Sequence, residues 1–130
     1  MKNCELALSG FIARAIEQMQ GGEVFIPKIP TTTIVDLVEA IAPGCAVDYT
    51  GIRPGEKLHE SMLSEDESPR ALELEDMYVV QPTQSWWSGA YWSKGKPVPE
   101  GFSYVSSEAS YKLSPAQIRS LLHDAGIDLT

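Results

Sequence analysis

An arginine and a glutamate stand three positions apart in the stretch Gly51-Ile52-Arg53-Pro54-Gly55-Glu56-Lys57-Leu58-His59-Glu60. A guanidinium can direct two parallel N–H donors onto a phosphate. A carboxylate is an acceptor into which vicinal ribose hydroxyls can donate. Between the two, Pro54 fixes φ and Gly55 tolerates φ > 0, so the chain is expected to turn sharply after Arg53. Arg53 on a diphosphate and Glu56 on a ribose would make a clamp for a nucleotide-sugar. The same spacing also fits a surface ion pair that does no more than stabilise its own turn. Lys57 could add a phosphate contact, or it could share the exposed face of a short helix with Glu60 while Leu58 is buried. His59 and His123 read as structural, His123 lying near the negative end of a terminal helix.

Something must position that turn. The apolar run Ala46-Val47-Asp48-Tyr49 reads as a strand leading into it, and a short helix is predicted from about Glu56 to Leu63. Upstream, Leu8, Phe11, Ile12, Ala15, Ile16 and Met19 recur at helical spacing until Gly21-Gly22 stops them. Glu23 to Pro27 reads as a strand. Thr31 to Thr33 offer an N-cap for a helix carrying Ile34, Leu37, Val38 and Ile41, which Pro43-Gly44 ends. Residues 64–70 read as acidic and solvated, Met77 to Gln81 as a strand, and Phe102 to Val105 as a last strand. Ser114-Pro115-Ala116-Gln117 is a capping box with proline at the first helical position, opening a helix closed by Gly126. Strands alternating with helices predict one small mixed α/β domain over residues 1–130, with three to four short strands and three main helices.

The decapeptide at 51–60 is preceded by "MQGGEVFIPKIP" (19–30) and followed by "LELEDMYVVQP" (72–82). Together these blocks resemble the C-terminal region of the inverting UDP-N-acetylglucosamine 4,6-dehydratases, extended short-chain dehydrogenases/reductases of bacterial glycan synthesis. The resemblance covers roughly residues 5–82 and implies the substrate-binding part of such an enzyme. It also implies that Arg53 meets the diphosphate and Glu56 the ribose of a UDP-sugar. Beyond residue 82 the match is patchy: Glu108, Ala109 and Lys112 stand where asparagines and a tryptophan are expected. Met1 to Cys4 likewise replace a basic-aromatic lead-in.

The family's NADP-binding Rossmann half has no counterpart here. None of the ten glycines forms Gly-x-Gly-x-x-Gly, and no tyrosine has a lysine four residues on. No cofactor is therefore expected in this chain, NADP being implied only for the full-length family enzyme, and no catalysis is expected from the chain alone. A small enzyme with new chemistry would need a nucleophile, a base and oxyanion donors, and no such constellation is written in the sequence.

Composition narrows the partners. The net charge is −8, and six acids fall between Glu65 and Asp76 against one base, Arg70. Such a surface repels nucleic acid and anionic membrane, although screening within ~8–10 Å leaves room for one diphosphate held by local cations. The acids lack calcium-loop spacing, so no metal is expected. No apolar run reaches the ~18 residues of a membrane span. Cys4 and Cys45 read as reduced thiols of a cytoplasmic protein. Trp86, Trp87, Tyr91 and Trp92 crowd a Gly/Ser/Pro loop (82–101) beside Lys94 and Lys96. They could fold over the domain's own core, bury against another subunit, or stack on a ligand. Two parts are open to the whole chain: the nucleotide-sugar-binding portion of a dehydratase-like enzyme, or a free-standing interaction module, as a homo-oligomer or with a partner chain.

Overall fold

A computed structural model describes residues 2–84, 92–108 and 112–127. In chain order these form α1 (Lys2–Gln18), β1 (Val24–Pro27), α2 (Ile34–Ile41), β2 (Ser61–Leu63) and a 3-10 helix (Glu65–Arg70). There follow β3 (Ala71–Glu73), β4 (Met77–Val80), β5 (Lys96–Pro97), β6 (Tyr104–Val105) and α3 (Pro115–Asp124). The mixed α/β class expected from the alternation is the class observed. The described strands number six: 46–50 is not among them, while β2, β3 and β5 are additions, the last two too short to carry a legible period.

The residues Met77-Tyr78-Val79-Val80 are apolar without interruption, and all four are buried. A strand of that composition must be covered on both faces. The antiparallel order β1-β4-β3-β5 flanks β4 with a strand on each edge, and a separate cluster of side chains covers each face. Successive side chains point to opposite faces. Tyr78 and Val80 enter one cluster with Ile26, Leu63, Ala71 and Val98, while Met77 and Val79 enter a second with Trp92. Phe11 of α1 packs on the second cluster, and Phe102 and Tyr104 pack on the first. The Tyr104 hydroxyl accepts from the Ile29 amide at 3.0 Å and donates to the Ile29 carbonyl at 2.8 Å. One side chain thus ties the segment after β1 to the second sheet, in which β2 pairs β6.

The aromatic loop does fold over the core at Trp92, which is 3 % exposed and meets Phe25 edge-on with ring centroids 5.5 Å apart. Trp86, Trp87 and Tyr91 lie outside the described residues. The Trp92 indole donates to Glu23 at 3.0 Å, and the same carboxylate accepts from the amides of Gln20 (2.8 Å) and Gly21 (2.7 Å). Glu23 therefore holds the end of α1 and the aromatic loop together. Just beyond, Gly95 passes so close to β3 that a Cβ there would lie 2.8 Å from Leu72 Cβ.

The caps read from the sequence hold. Thr33 Oγ1 accepts from Asp36 N–H at 3.0 Å, and Ser114 and Gln117 form a reciprocal box at the start of α3. The two helices pack together around Ala40 and Ile118. The Arg119 guanidinium reaches across to donate to the Ala40 and Glu39 carbonyls at 2.8 and 2.7 Å. These are C-terminal carbonyls of α2 with no intrahelical partner, so a cation is well suited to them.

Three local expectations are corrected. Residues 46–50 are not a strand: among the described residues no backbone pairs with them, and all are exposed. Residues 56–63 are not a helix: a turn at 54–55 is followed by a bend, and the segment then enters β2, paired with Val105. Residues 64–70 are not merely acidic and solvated: Glu65 and Asp66 are exposed, but Glu65–Arg70 form a 3-10 helix around the buried Ser68, whose hydroxyl donates to the Glu65 carbonyl (2.7 Å) and accepts from Gly101 N–H (3.0 Å). The acids nearby are put to work. Glu67 accepts from the Ser64 amide and hydroxyl, Glu73 pairs with Lys28 at 2.7 Å, and Asp76 pairs with Arg14.

Two predictions follow from this packing. Trp92→Ala should lower the unfolding free energy by about 3–5 kcal/mol, read from urea melts, because it empties one cluster and unpairs Glu23. The second concerns pH. Burial pushes Glu23 up, but the donors from Trp92, Gln20 and Gly21 outweigh it and leave the carboxyl below its ordinary 4.5. The Ser64 amide and hydroxyl hold Glu67 below 4.5 as well. A depressed carboxylate stabilises the fold above the unfolded value and loses that contribution as pH falls through the folded one. Thermal melts should therefore drop below about pH 4.5, and Glu23→Gln should flatten that decline.

Candidate functional site

The turn at 53–56 has the geometry its residues imply. The Glu56 N–H donates to the Arg53 carbonyl at 3.0 Å, and Gly55 has φ +88°. With proline at the second position and a positive φ at the third, this is the pattern of a type II turn. The Glu56 side chain folds back inside it, Oε2 accepting from the Arg53 N–H at 2.9 Å while Oε1 lies 3.9 Å from Arg53 Nη1. The two groups face each other across a bend locked by backbone and side-chain bonds. Both are open to water, at 79 % and 50 % exposure.

At 3.9 Å the charges attract without a hydrogen bond, and an exposed pair of this kind is worth little. The guanidinium therefore keeps its donors available to an incoming anion, and Oε1 keeps acceptor capacity for a hydroxyl. Lys57 does not converge on the pair. Its ammonium lies 3.8 Å from Glu60, with both side chains exposed. His59 is exposed, and His123 lies 3.9 Å from Asp124 on the surface of α3.

The downstream end of the segment is anchored by residues that spacing did not single out. Ser106 Oγ accepts from Glu60 N–H at 2.9 Å, the Ser106 amide donates to the Glu60 carbonyl at 2.8 Å, and Thr31 Oγ1 donates to the Ser106 carbonyl at 3.1 Å. These are contacts between sequence-distant strands and loops, so only the assembled second sheet reveals them. Upstream, among the described residues, no such anchor is found. Gly51 and Ile52 border a groove of 380 Å³ against Ile34, Val35 and Val38. A larger groove of 690 Å³ lies between α1 and residues 27–30, away from the turn. Its cations Arg14 and Lys28 are already matched by Asp76 and Glu73.

Among the described residues no cluster of histidine, cysteine or carboxylate could hold a metal ion, and no helix is long and apolar enough to cross a membrane. Gly21 and Gly22 follow a helix rather than opening one after a strand. They therefore do not fit the phosphate-cradling turn of a dinucleotide site. Cys45 is an exposed free thiol.

The fold is shared with a protein of known structure, and the sequence resembles several relatives. The fold superposes on a solved structure, titled "X-ray structure of Pen from Bacillus thuringiensis", with a TM-score of 0.70 and 26 % identity, covering 89 % of this chain and 35 % of that one. The chain belongs to the family described as "Polysaccharide biosynthesis protein", whose model matches residues 7–82 and so includes the whole Arg53–Glu56 turn. Two strains of Campylobacter jejuni carry relatives named UDP-N-acetylglucosamine 4,6-dehydratase (inverting), each 38 % identical over 120 residues. That match takes in 87 % of this chain and 36 % of each relative. A protein of Methanocaldococcus jannaschii named "Uncharacterized membrane protein MJ1061" is 39 % identical over 82 residues, 55 % of this chain and 25 % of its own length. The chain therefore spans about a third of the length of these relatives.

Gly55→Ala tests the turn itself. A Cβ at φ +88° costs roughly 1–2 kcal/mol in a left-handed conformation. Because the turn is exposed and makes no core contact, that strain should open the turn rather than unfold the protein. Amide exchange at Glu56 should accelerate, with the main melting transition almost unmoved.

Proposed function

We propose that this chain is the nucleotide-sugar-binding portion of a UDP-N-acetylglucosamine 4,6-dehydratase-like enzyme of bacterial glycan synthesis, acting in the cytoplasm. In this reading Arg53 meets the diphosphate, Glu56 accepts from the ribose hydroxyls, and Lys57 lends a more distant positive charge. The chain performs no dehydration alone and holds no cofactor. The observation that carries the reading is the rigid turn that keeps one guanidinium and one carboxylate adjacent and exposed, within the stretch the family model matches. The 38 % identity to relatives named as UDP-N-acetylglucosamine 4,6-dehydratases supports this substrate class.

A charge-assisted hydrogen bond nets about 1.5–3 kcal/mol, and a millimolar complex requires about 4 kcal/mol. Two such contacts on an open surface reach millimolar affinity at best. A second reading, an interaction module derived from the same family, would place a partner over the apolar side chains left exposed on α1 and α2, among them Ile16 and Ile34.

Amide NMR titration with UDP and with UDP-N-acetylglucosamine separates the two. The clamp requires shifts centred on Arg53, Glu56 and Lys57 that saturate in the millimolar range and vanish in Arg53→Ala. Shifts elsewhere, or none at millimolar ligand, overturn it in favour of the module.

A further inference from the structure

The hydroxyl of Tyr78 has no protein partner in a core whose other hydroxyls are bonded. The residue is only 7 % exposed, yet among the described residues no group donates to its phenol or accepts from it. Ser68 and Tyr104, by contrast, bond their hydroxyls to backbone. Burial pushes the Tyr78 hydroxyl above its ordinary 10.0, so at neutral pH it is an O–H that can both donate and accept. It is not sealed in: among the described residues, the side-chain atom both sealed and unpartnered is Arg14 Nε. The phenol therefore opens to solvent, and its side chain borders a groove of 510 Å³. A polar group set this deep and bonded to no protein atom is available to a ligand.

The rest of the groove selects the sign of that ligand. Phe102 and Tyr104 also border it, with ring centroids 5.4 and 5.3 Å from that of Tyr78. Aromatic faces carry negative potential and attract cations. Glu65 and Glu108 stand on the rim, both exposed, and among the described residues neither enters an ion pair. None of the residues bordering the groove is basic. Lys28 lies 5.0 Å from the Tyr78 ring centroid, but its charge is met by Glu73 at 2.7 Å. The net charge of −8 draws cations toward this surface and repels anions.

We propose that this groove binds a primary alkylammonium group. Its N–H donors would meet the Tyr78 hydroxyl and the Glu65 and Glu108 carboxylates, while its alkyl stem lies against Phe102 and Tyr104. A calcium ion is poorly served here, since two carboxylates and a neutral phenol fall short of the about six to eight oxygens it takes. A free amine and the lysine side chain of a peptide present the same chemistry. Neither Arg53 nor Glu56 borders the groove, so this inference stands apart from the nucleotide-sugar reading.

The test is amide NMR titration of the chain with n-butylammonium. Saturable shifts are expected at Glu65, Gly101, Ser103 and Glu108, with a dissociation constant of about 1 mM. Butanol, the same stem without the charge, should give none. Tetramethylammonium, charged but without N–H donors, should bind at least about five-fold more weakly. Tyr78→Phe keeps the ring and removes only the hydroxyl; it should weaken butylammonium roughly three- to ten-fold and leave tetramethylammonium unchanged. Glu65→Gln/Glu108→Gln, both exposed and so harmless to the core, should weaken both cations. Thermal melts check that each variant is folded. A capped Gly-Lys-Gly peptide separates the sources: tighter binding than butylammonium marks a protein lysine, equal or weaker binding a free amine. No saturable shift at these residues, shifts that butanol or sodium chloride reproduces, or butylammonium binding untouched by Tyr78→Phe overturns the proposal.

Discussion

Burial of β4 on both faces is the constraint from which the rest of the architecture follows. Its four residues form an unbroken apolar run, so water must be removed above and below the sheet at once. Above, Tyr78 recruits Phe102 and Tyr104, and Tyr104 in turn clamps the backbone at Ile29. Below, Val79 and Met77 need Trp92, which brings the aromatic loop down and leaves an indole N–H that Glu23 satisfies. Each polar bond here is a consequence of an apolar demand. A buried donor without its acceptor would cost about 1–3 kcal/mol, so Glu23 is as much part of the core as Trp92.

Charge is handled differently in different parts of the chain. The acids between Glu65 and Asp76 look from composition like a solvated, repelling face. Folded, Glu67 caps a 3-10 helix, and Glu73 and Asp76 pair with Lys28 and Arg14 arriving from remote segments. The cations that might have served a ligand in the groove beside α1 are thereby already engaged. The Arg53–Glu56 pair is the contrasting case, close and rigid in backbone but loosely paired in side chain. A turn held by its own bonds keeps its geometry without packing, which is what a binding group on an exposed loop requires.

Much of this was legible in the residues. The strand at 24–27, the helix opened by Thr33, the strand at 77–80 and the capping box at Ser114 are all local patterns, and each is found where its pattern lies. So is the bend at Pro54-Gly55, because φ restrictions act within two residues. The failures have one physical origin. Val47 and Tyr49 have high strand propensity, but a strand exists only beside another strand, and none is supplied. Glu56, Lys57 and Leu58 suit a helix, but Ser61 is claimed by Val105 and Glu60 by Ser106, partners some 45 residues away. Ala71 to Glu73 is too short to declare itself before β4 and β5 flank it.

What the sequence settled by itself about this protein is therefore local: where helices begin, where the chain bends, and which two side chains of the decapeptide stand on either side of that bend. Backbone stereochemistry, capping hydrogen bonds and apolar period act over a few residues and need no further context. The tertiary structure alone decided which strands pair, which acids become staples, that Trp92 is core, and that 46–50 finds no strand partner among the described residues. Those outcomes depend on contacts between segments far apart in the chain, whose free energies exist only once the segments have met.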